Sequence, residues 1–280
     1  MNDDHPSETV ERWLANRENS QLLTQVSIII PAYNEYLRLP LTLIEILDFI
    51  EKNGKELNLL PCEIIIVDDG SRDQTCEIVE KFQRVSPNIR LIKLANNSGK
   101  GYAIKSGVIN ALGEIVIFVD ADGATPFGEF TKLLSAIRSG QVDIAFGSRA
   151  ISSQDTTVKT NLHRRLLGRV FNTIVNIIAL PNVHDSQCGF KMFTKQAARE
   201  LFSQQKLSGF SFDVELLYLA RKLNFRTSEI AINWRNIPGS KVNLYIDSFK
   251  MFYDLLRIPF LHRKNLPREH LFIFNFFVHF

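Results

Sequence analysis

From Val26 to Gly147, short runs of β-branched and aliphatic residues alternate with longer stretches whose apolar positions recur at helical spacing. The short runs predict strands over Val26 to Pro31, Glu63 to Asp68, Ile89 to Leu94, Ile115 to Asp120 and Asp143 to Gly147. Between them the pattern predicts helices over Leu39 to Asn53, Asp73 to Arg84, Gly101 to Leu112 and Pro126 to Ser139. Each strand is apolar on both faces, as a strand is when helices cover both sides of its sheet. The alternation therefore reads as an α/β fold with a mainly parallel sheet flanked by helices.

Beyond Arg149 the rhythm changes. A polar loop, Ser152 to Thr160, leads into an apolar-rich helix expected over Leu162 to Leu180. A strand or turn at Cys188 to Thr194 follows, then helices near Lys195 to Phe202 and Phe212 to Leu223, a strand from Thr227 to Trp234, and an amphipathic segment from Leu244 to Leu261. There are no repeats and no low-complexity tract. The expected organisation is a helical or flexible segment over residues 1–25, one domain over 26–235, and an amphipathic, interfacial segment over 236–280.

Composition narrows the function classes. At 45% hydrophobic, 280 residues can bury one substantial core. The formal charge of +3, from 33 basic and 30 acidic side chains, is too near balance to indicate a nucleic-acid partner. Cys62, Cys76 and Cys188 show no spacing of a zinc site or disulfide framework, so a reducing compartment is expected. Met1 to Gln21 lacks the pattern of a signal peptide, and no run reaches the roughly 18 to 20 apolar residues of a spanning helix. A cytoplasmic protein is expected.

Ligands of open α/β sheets bind at the carboxyl ends of strands. Four of the five strands end in polar residues: Pro31-Ala32-Tyr33-Asn34-Glu35, Asp68-Asp69-Gly70-Ser71, Asp120-Ala121-Asp122-Gly123 and Gly147-Ser148-Arg149. Any one could be turn chemistry; four at one edge point to a site. Asp120 and Asp122 can share one hard cation while a pyrophosphate supplies further oxygens, although a cap and turn before Pro126 would use the same residues. Asp68 can accept from a base N–H or a ribose hydroxyl, or cap the next helix. Asn97-Ser98-Gly99-Lys100-Gly101 fails the Walker spacing, and no dinucleotide fingerprint follows the first strand, which excludes those two readings and leaves Lys100 in a loop lining a nucleotide pocket.

Together these residues resemble glycosyltransferase family 2, across roughly Val26 to Arg257. The resemblance rests on Ile30-Pro31-Ala32-Tyr33-Asn34-Glu35, Val67-Asp68-Asp69-Gly70-Ser71, Asp120-Ala121-Asp122 and Gly147-Ser148-Arg149. Within the family the chain looks most like the dolichyl-phosphate β-glucosyltransferases, through Asp185-Ser186-Gln187-Cys188-Gly189-Phe190-Lys191, Gly209-Phe210-Ser211-Phe212-Asp213-Val214-Glu215 and Trp234. The resemblance implies a GT-A type fold, an inverting metal-dependent transfer, UDP-glucose as donor and a polyprenyl phosphate as acceptor. GDP-mannose is the second choice of donor, because the related mannosyltransferases often carry glutamine where this chain has Ala124.

By the same resemblance, Pro31, Tyr33, Glu35, Asp68, Lys100 and Asp120 would contact the nucleotide sugar, and Asp120 and Asp122 would hold Mg²⁺ or Mn²⁺. Arg149 and Arg164, with Arg165 a companion, would bind the acceptor phosphate. A phosphate acceptor is already anionic and needs no strong base, whereas a hydroxyl acceptor on a saccharide would, with Asp213 and Glu215 as candidates. A third reading is a nucleotide-sugar-binding protein without catalysis.

The polar Met1 to Gln21 stretch departs from the N-terminal membrane anchor that such enzymes commonly carry. Membrane contact is therefore expected to be peripheral. Two segments in which basic residues adjoin apolar faces could make it: His163, Arg164, Arg165 and Arg169 before Val170 to Ile178, and Lys250 and Arg257 among Phe249, Phe252, Leu256 and Phe260. Helices of that kind also pack on a core or on a second copy of the chain.

Overall fold

A computed structural model describes residues 24–151, 153, 155–159, 172–239 and 244–263. Its centre is a seven-stranded sheet of β1 (Val26–Ala32), β2 (Cys62–Asp68), β3 (Ile89–Lys93), β4 (Ile115–Val119), β5 (Ile144–Ser148), β7 (Phe190–Thr194) and β8 (Thr227–Ala231). The order across the sheet is β3-β2-β1-β4-β7-β5-β8. All neighbours are parallel except β7, which runs antiparallel to both β4 and β5. Two-residue strands β6 (Val158–Lys159) and β9 (Trp234–Arg235) pair separately.

The double-sided apolar pattern of the strands has the expected cause. Ile28, Ile30, Ile64 and Ile66 face α1 (Leu39–Asn53), α2 (Thr75–Val85) and α4 (Phe130–Arg138). Ile29, Ile65 and Val67 face α3 (Lys100–Ile109), α5 (Lys195–Gln204) and α6 (Phe212–Lys222). Helix α7 (Leu244–Leu261) covers α6, burying Leu255 and Ile258 with Val214 and Leu217. Thr194 caps α5 by accepting from the Ala197 backbone N–H at 3.3 Å.

The Cys188 to Thr194 segment, expected as a strand or a turn, is a strand: as β7 it sits in mid-sheet, between β4 and β5. Two expectations need correction. The strand expected over Thr227 to Trp234 is split into β8 and β9, and the loop expected over Ser152 to Thr160 contains β6. Of the helix expected over Leu162 to Leu180, residues 172–178 are helical, and 160–171 lie outside the described residues.

Because β1 adjoins both β2 and β4, the chain order reverses there, and the crevice that binds ligands in open sheets opens beyond Ala32 and Val119. Antiparallel β7 adds something a parallel strand could not. Its beginning, not its end, lies at this edge, since Phe190 pairs with Val119, and so the Asp185–Gly189 loop is delivered to the same crevice.

Candidate active site

Asp120 follows β4 directly. Its backbone N–H donates to the Gly189 carbonyl at 3.1 Å, which continues the β4–β7 pairing by one residue. A Cβ on Gly189 would stand 2.0 Å from Asp120 Oδ2, so the Asp120 carboxylate occupies space that only glycine leaves open. Lys100, the first residue of α3, places Nζ 2.6 Å from Asp120 Oδ1. Asp122 sits in the next turn, its Oδ1 accepting from the Ala124 N–H at 3.0 Å and its Oδ2 lying 3.7 Å from Arg38 Nη1. Thr42 of α1 ties down the turn by donating its hydroxyl to the Ala121 carbonyl at 2.9 Å.

Burial, and then the charge of Asp120, push the Asp122 carboxyl above its ordinary range. Two half-buried carboxylates thus converge between Lys100 and Arg38, and among the described residues no third His, Cys, Asp or Glu joins them in a metal-binding group. That donor set fits a hard divalent cation that takes its other ligands from a diphosphate and water, and not a closed protein cage.

The other residues expected to contact the nucleotide sugar end β1 and β2 at the same edge of the sheet. Pro31, in β1, and Tyr33 are partly exposed at the crevice. Asp68 ends β2 with Oδ2 accepting from the Ser71 N–H at 3.1 Å and the Cys76 thiol beside the carboxylate, while Oδ1 is buried and has no hydrogen-bond partner in range among the described residues. A buried carboxylate oxygen left unpaired is costly and invites a donor N–H or O–H. Glu35 has a different place. Its carboxylate is 8% exposed and receives Arg38 Nε at 2.7 Å together with Arg38 Nη2, so it faces Arg38 and holds it beside Asp122. Arg38 is a site residue the sequence reading missed; its signal was the three-residue spacing from Glu35 at the start of α1.

Asp69, adjacent to Asp68, is a loop anchor. It accepts the N–H groups of Ser98 at 2.7 Å and Gly99 at 2.9 Å, which fixes the turn from which Lys100 departs. Gly99 makes that turn with φ at +98°, and a Cβ there would meet the Ser208 carbonyl oxygen at 2.5 Å.

On the far side of Asp120, Arg149 follows β5. Its Nε and Nη2 donate to Asp185 Oδ2 and Oδ1 at 2.6 and 2.8 Å, its backbone N–H adds a bond at 2.9 Å, and its guanidinium lies 5.5 Å from the centre of the Trp234 ring. Burial works against the Asp185 charge, but Arg149 overrides it and keeps the carboxyl below the ordinary range. Arg164 and Arg165 lie outside the described residues.

Asp213 and Glu215, the candidate bases for a hydroxyl acceptor, lie in the first turn of α6 and are both buried. Asp213 Oδ1 receives Lys191 Nζ at 2.7 Å. Glu215 accepts the N–H groups of Lys206 and Leu207, each at 2.9 Å, and its Oε1 lies 2.7 Å from His262 Nε2. A base must reach the proton it removes. Both carboxylates are enclosed and engaged by protein groups, Asp213 by Lys191 and Glu215 by His262 and two backbone N–H groups.

The amino-acid sequence matches the family described as Glycosyl transferase family 2 over residues 27–202. Dolichyl-phosphate beta-glucosyltransferase of Dictyostelium discoideum is 39% identical over 241 residues, which are 84% of this chain and 74% of that protein. The Homo sapiens protein of the same name is also 39% identical over 241 residues, with the same coverage of 84% and 74%. The one from Saccharomyces cerevisiae is 34% identical over 285 residues, 95% of this chain and 84% of that one. Among solved structures, glucosyl-3-phosphoglycerate synthase from Mycobacterium tuberculosis, in complex with Mn²⁺ and UDP-glucose, matches with a TM-score of 0.59 at 15% identity, over 88% of this chain and 84% of that chain. At that identity the likeness establishes the fold, which is of the GT-A type. With the family match spanning residues 27–202 and curated relatives 34% to 39% identical over most of its length, the chain belongs to glycosyltransferase family 2.

Proposed function

We propose that the protein is an inverting glucosyltransferase that moves glucose from UDP-glucose to a dolichyl-type polyprenyl phosphate, giving a β-linked lipid-phosphate sugar. The observation that carries this reading is the Asp120–Asp122 pair at the switch point, bracketed by Lys100 and Arg38. The relatives named above support the donor and acceptor, and the buried Oδ1 of Asp68, without a hydrogen-bond partner among the described residues, supports a nucleoside whose base or ribose brings a donor group.

A Mg²⁺ or Mn²⁺ ion held by Asp120 and Asp122 would neutralise charge on the departing diphosphate. Lys100, 2.6 Å from Asp120, adds a second positive charge on that side. Arg149, locked by Asp185 and seated by Trp234, would offer the part of its guanidinium that Asp185 leaves free to an anionic acceptor. An oxygen of the acceptor phosphate attacks the anomeric carbon, the bond from that carbon to the diphosphate oxygen breaks, and UDP leaves with the bonding pair. Single displacement of an α-linked donor gives a β-linked product. Positioning and charge neutralisation suffice, because the nucleophile is anionic at neutral pH. The engagement of Asp213 and Glu215 favours this acceptor over a neutral hydroxyl, which would need a base.

The catalytic unit spans residues 26–235, and α7 is its lipid-facing appendage. Phe249, Phe252, Tyr253, Leu256 and Phe260 are exposed at helical spacing on the side opposite Leu255 and Ile258, with Lys250, Arg257 and Arg263 exposed around them. An aromatic stripe rimmed by cations suits the headgroup region of a bilayer. No helix among the described residues is long and apolar enough to cross a membrane. Comparing UDP-glucose with GDP-mannose in calorimetric titrations with Mn²⁺ tests the donor assignment; preferential binding of GDP-mannose would overturn it.

A further inference from the structure

Lys191, the second residue of β7, is 0% exposed and paired in register with Phe118 of β4 and Phe146 of β5. A charged side chain in the centre of a sheet is expensive, and an apolar pair of similar volume commonly serves stability as well or better. Here the ammonium donates to the Cys188 carbonyl at 2.6 Å and to Asp213 Oδ1 at 2.7 Å, and it lies 5.7 Å from the centre of the Phe118 ring. The first turn of α3 packs on that of α6, for a Cβ on Gly101 would stand 2.7 Å from Phe212 Cβ, and Lys100 and Asp213 are the chain neighbours of those two residues. Lys100 Nζ rests on Asp120 at 2.6 Å, and the charges of Asp120 and Asp213 both favour its ammonium form. Two ion pairs, Lys100–Asp120 and Lys191–Asp213, thus meet where these helices begin.

We infer that the buried Lys191–Asp213 pair is a positioning device for the donor site, with Asp213 the fixed counter-charge that keeps Lys100 in place once Asp120 turns to the donor's diphosphate. Lys191 fixes Asp213, and Asp213 acts through Lys100; neither touches substrate. The inference rests on the reading of Asp120 and Asp122 as the diphosphate site. It also accounts for an ion pair at a place where the sheet alone calls for apolar side chains.

The test measures UDP affinity by calorimetry in Mn²⁺, which requires no acceptor, beside thermal melting. The variants are Lys100→Met, the apolar replacement Lys191→Met with Asp213→Leu, and all three together. The paired replacement avoids a lone buried charge, and Asp213→Asn with Lys191→Met gives a second version should the first fail to fold. The expected result is a melting temperature near that of the wild type, UDP binding weakened about tenfold in both Lys100→Met and the paired variant, and little further loss in the triple variant, because all act through one contact. Unchanged UDP affinity in a folded paired variant would overturn the inference, and so would a loss that adds in full to that of Lys100→Met. A wild type that binds no UDP would instead overturn the diphosphate reading on which the inference stands.

Discussion

Arg149 and Asp185 form a two-point pair, Nε to Oδ2 at 2.6 Å and Nη2 to Oδ1 at 2.8 Å, which a backbone bond from Arg149 closes into a ring. In the proposed reaction, this pair would hold the acceptor-side cation in place before any acceptor arrives. Lysine cannot reproduce the fork, so Arg149→Lys should lower kcat/KM for the lipid phosphate by about 3 kcal/mol, roughly a hundredfold, with UDP affinity within about twofold of wild type. Asp185→Asn should act in the same direction by freeing the guanidinium. Steady-state kinetics with each substrate varied in turn would show it. A loss confined to the donor KM would place Arg149 on the wrong side of the reaction.

Gly189 is needed for the space it leaves. Gly189→Ala puts a methyl group 2.0 Å from the present position of Asp120 Oδ2, and the carboxylate must turn away from Lys100 and the cation position. The side chain can rotate, so the fold should survive with a small change in melting temperature. Affinity for UDP-glucose in Mn²⁺ should fall by about tenfold or more. Donor binding at wild-type strength would mean that Asp120 does not hold the diphosphate where it now stands.

Glu215 is a latch for α7. It joins the Lys206 and Leu207 N–H groups to His262, which follows the last turn of α7, while Lys206 Nζ and Lys222 Nζ donate to the Leu261 and His262 carbonyls. Glu215→Leu leaves these buried donors unpaired and should cost about 3 kcal/mol in urea unfolding. Glu215→Gln should be milder and leave the shape of the pH–rate profile unchanged, since Glu215 moves no proton in the reaction. Loss of a limb from that profile would restore Glu215 as a base.

The exposed stripe of α7 should bind lipid. Replacing Phe249, Phe252 and Phe260 with serine should remove about 1.5 kcal/mol of interfacial burial each, enough to abolish co-sedimentation with vesicles of mixed neutral and anionic phospholipid. UDP binding should be untouched. If the variant still sediments with vesicles, or if it changes oligomeric state instead, the stripe serves a different surface.

Cys188 lies beside the acceptor loop, but burial, and then the charge of Asp185, push its thiol up to about 12. The thiolate is therefore about one part in ten thousand at pH 8, and iodoacetamide at that pH should leave activity intact. Rapid inactivation protected by substrate would contradict this placement.

Much of the candidate donor side was legible in the sequence because it is local. Each of β1, β2 and β4 ends in its own candidate residues, and parallel pairing puts those ends at one edge. Apart from Arg38, whose link to Glu35 is local, the rest depends on contacts between distant segments. The central, antiparallel place of β7 cannot be read from Phe190 to Thr194, whose burial pattern suits any interior strand. Without that place nothing marks Gly189 as the neighbour of Asp120, or Lys191 as the partner of Asp213. Glu35 and Asp213 are each held by a cation, Arg38 one helical turn on and Lys191 on the distant β7.

The most direct test is transfer itself. The wild-type protein is incubated with radiolabelled UDP-glucose, Mn²⁺ and dolichyl phosphate, beside Asp122→Ala and beside a saccharide acceptor. The account predicts label in the organic phase as a β-linked glucosyl phosphate, dependent on dolichyl phosphate and lost in Asp122→Ala. Label that stays in the aqueous phase, on the saccharide or nowhere, would contradict it.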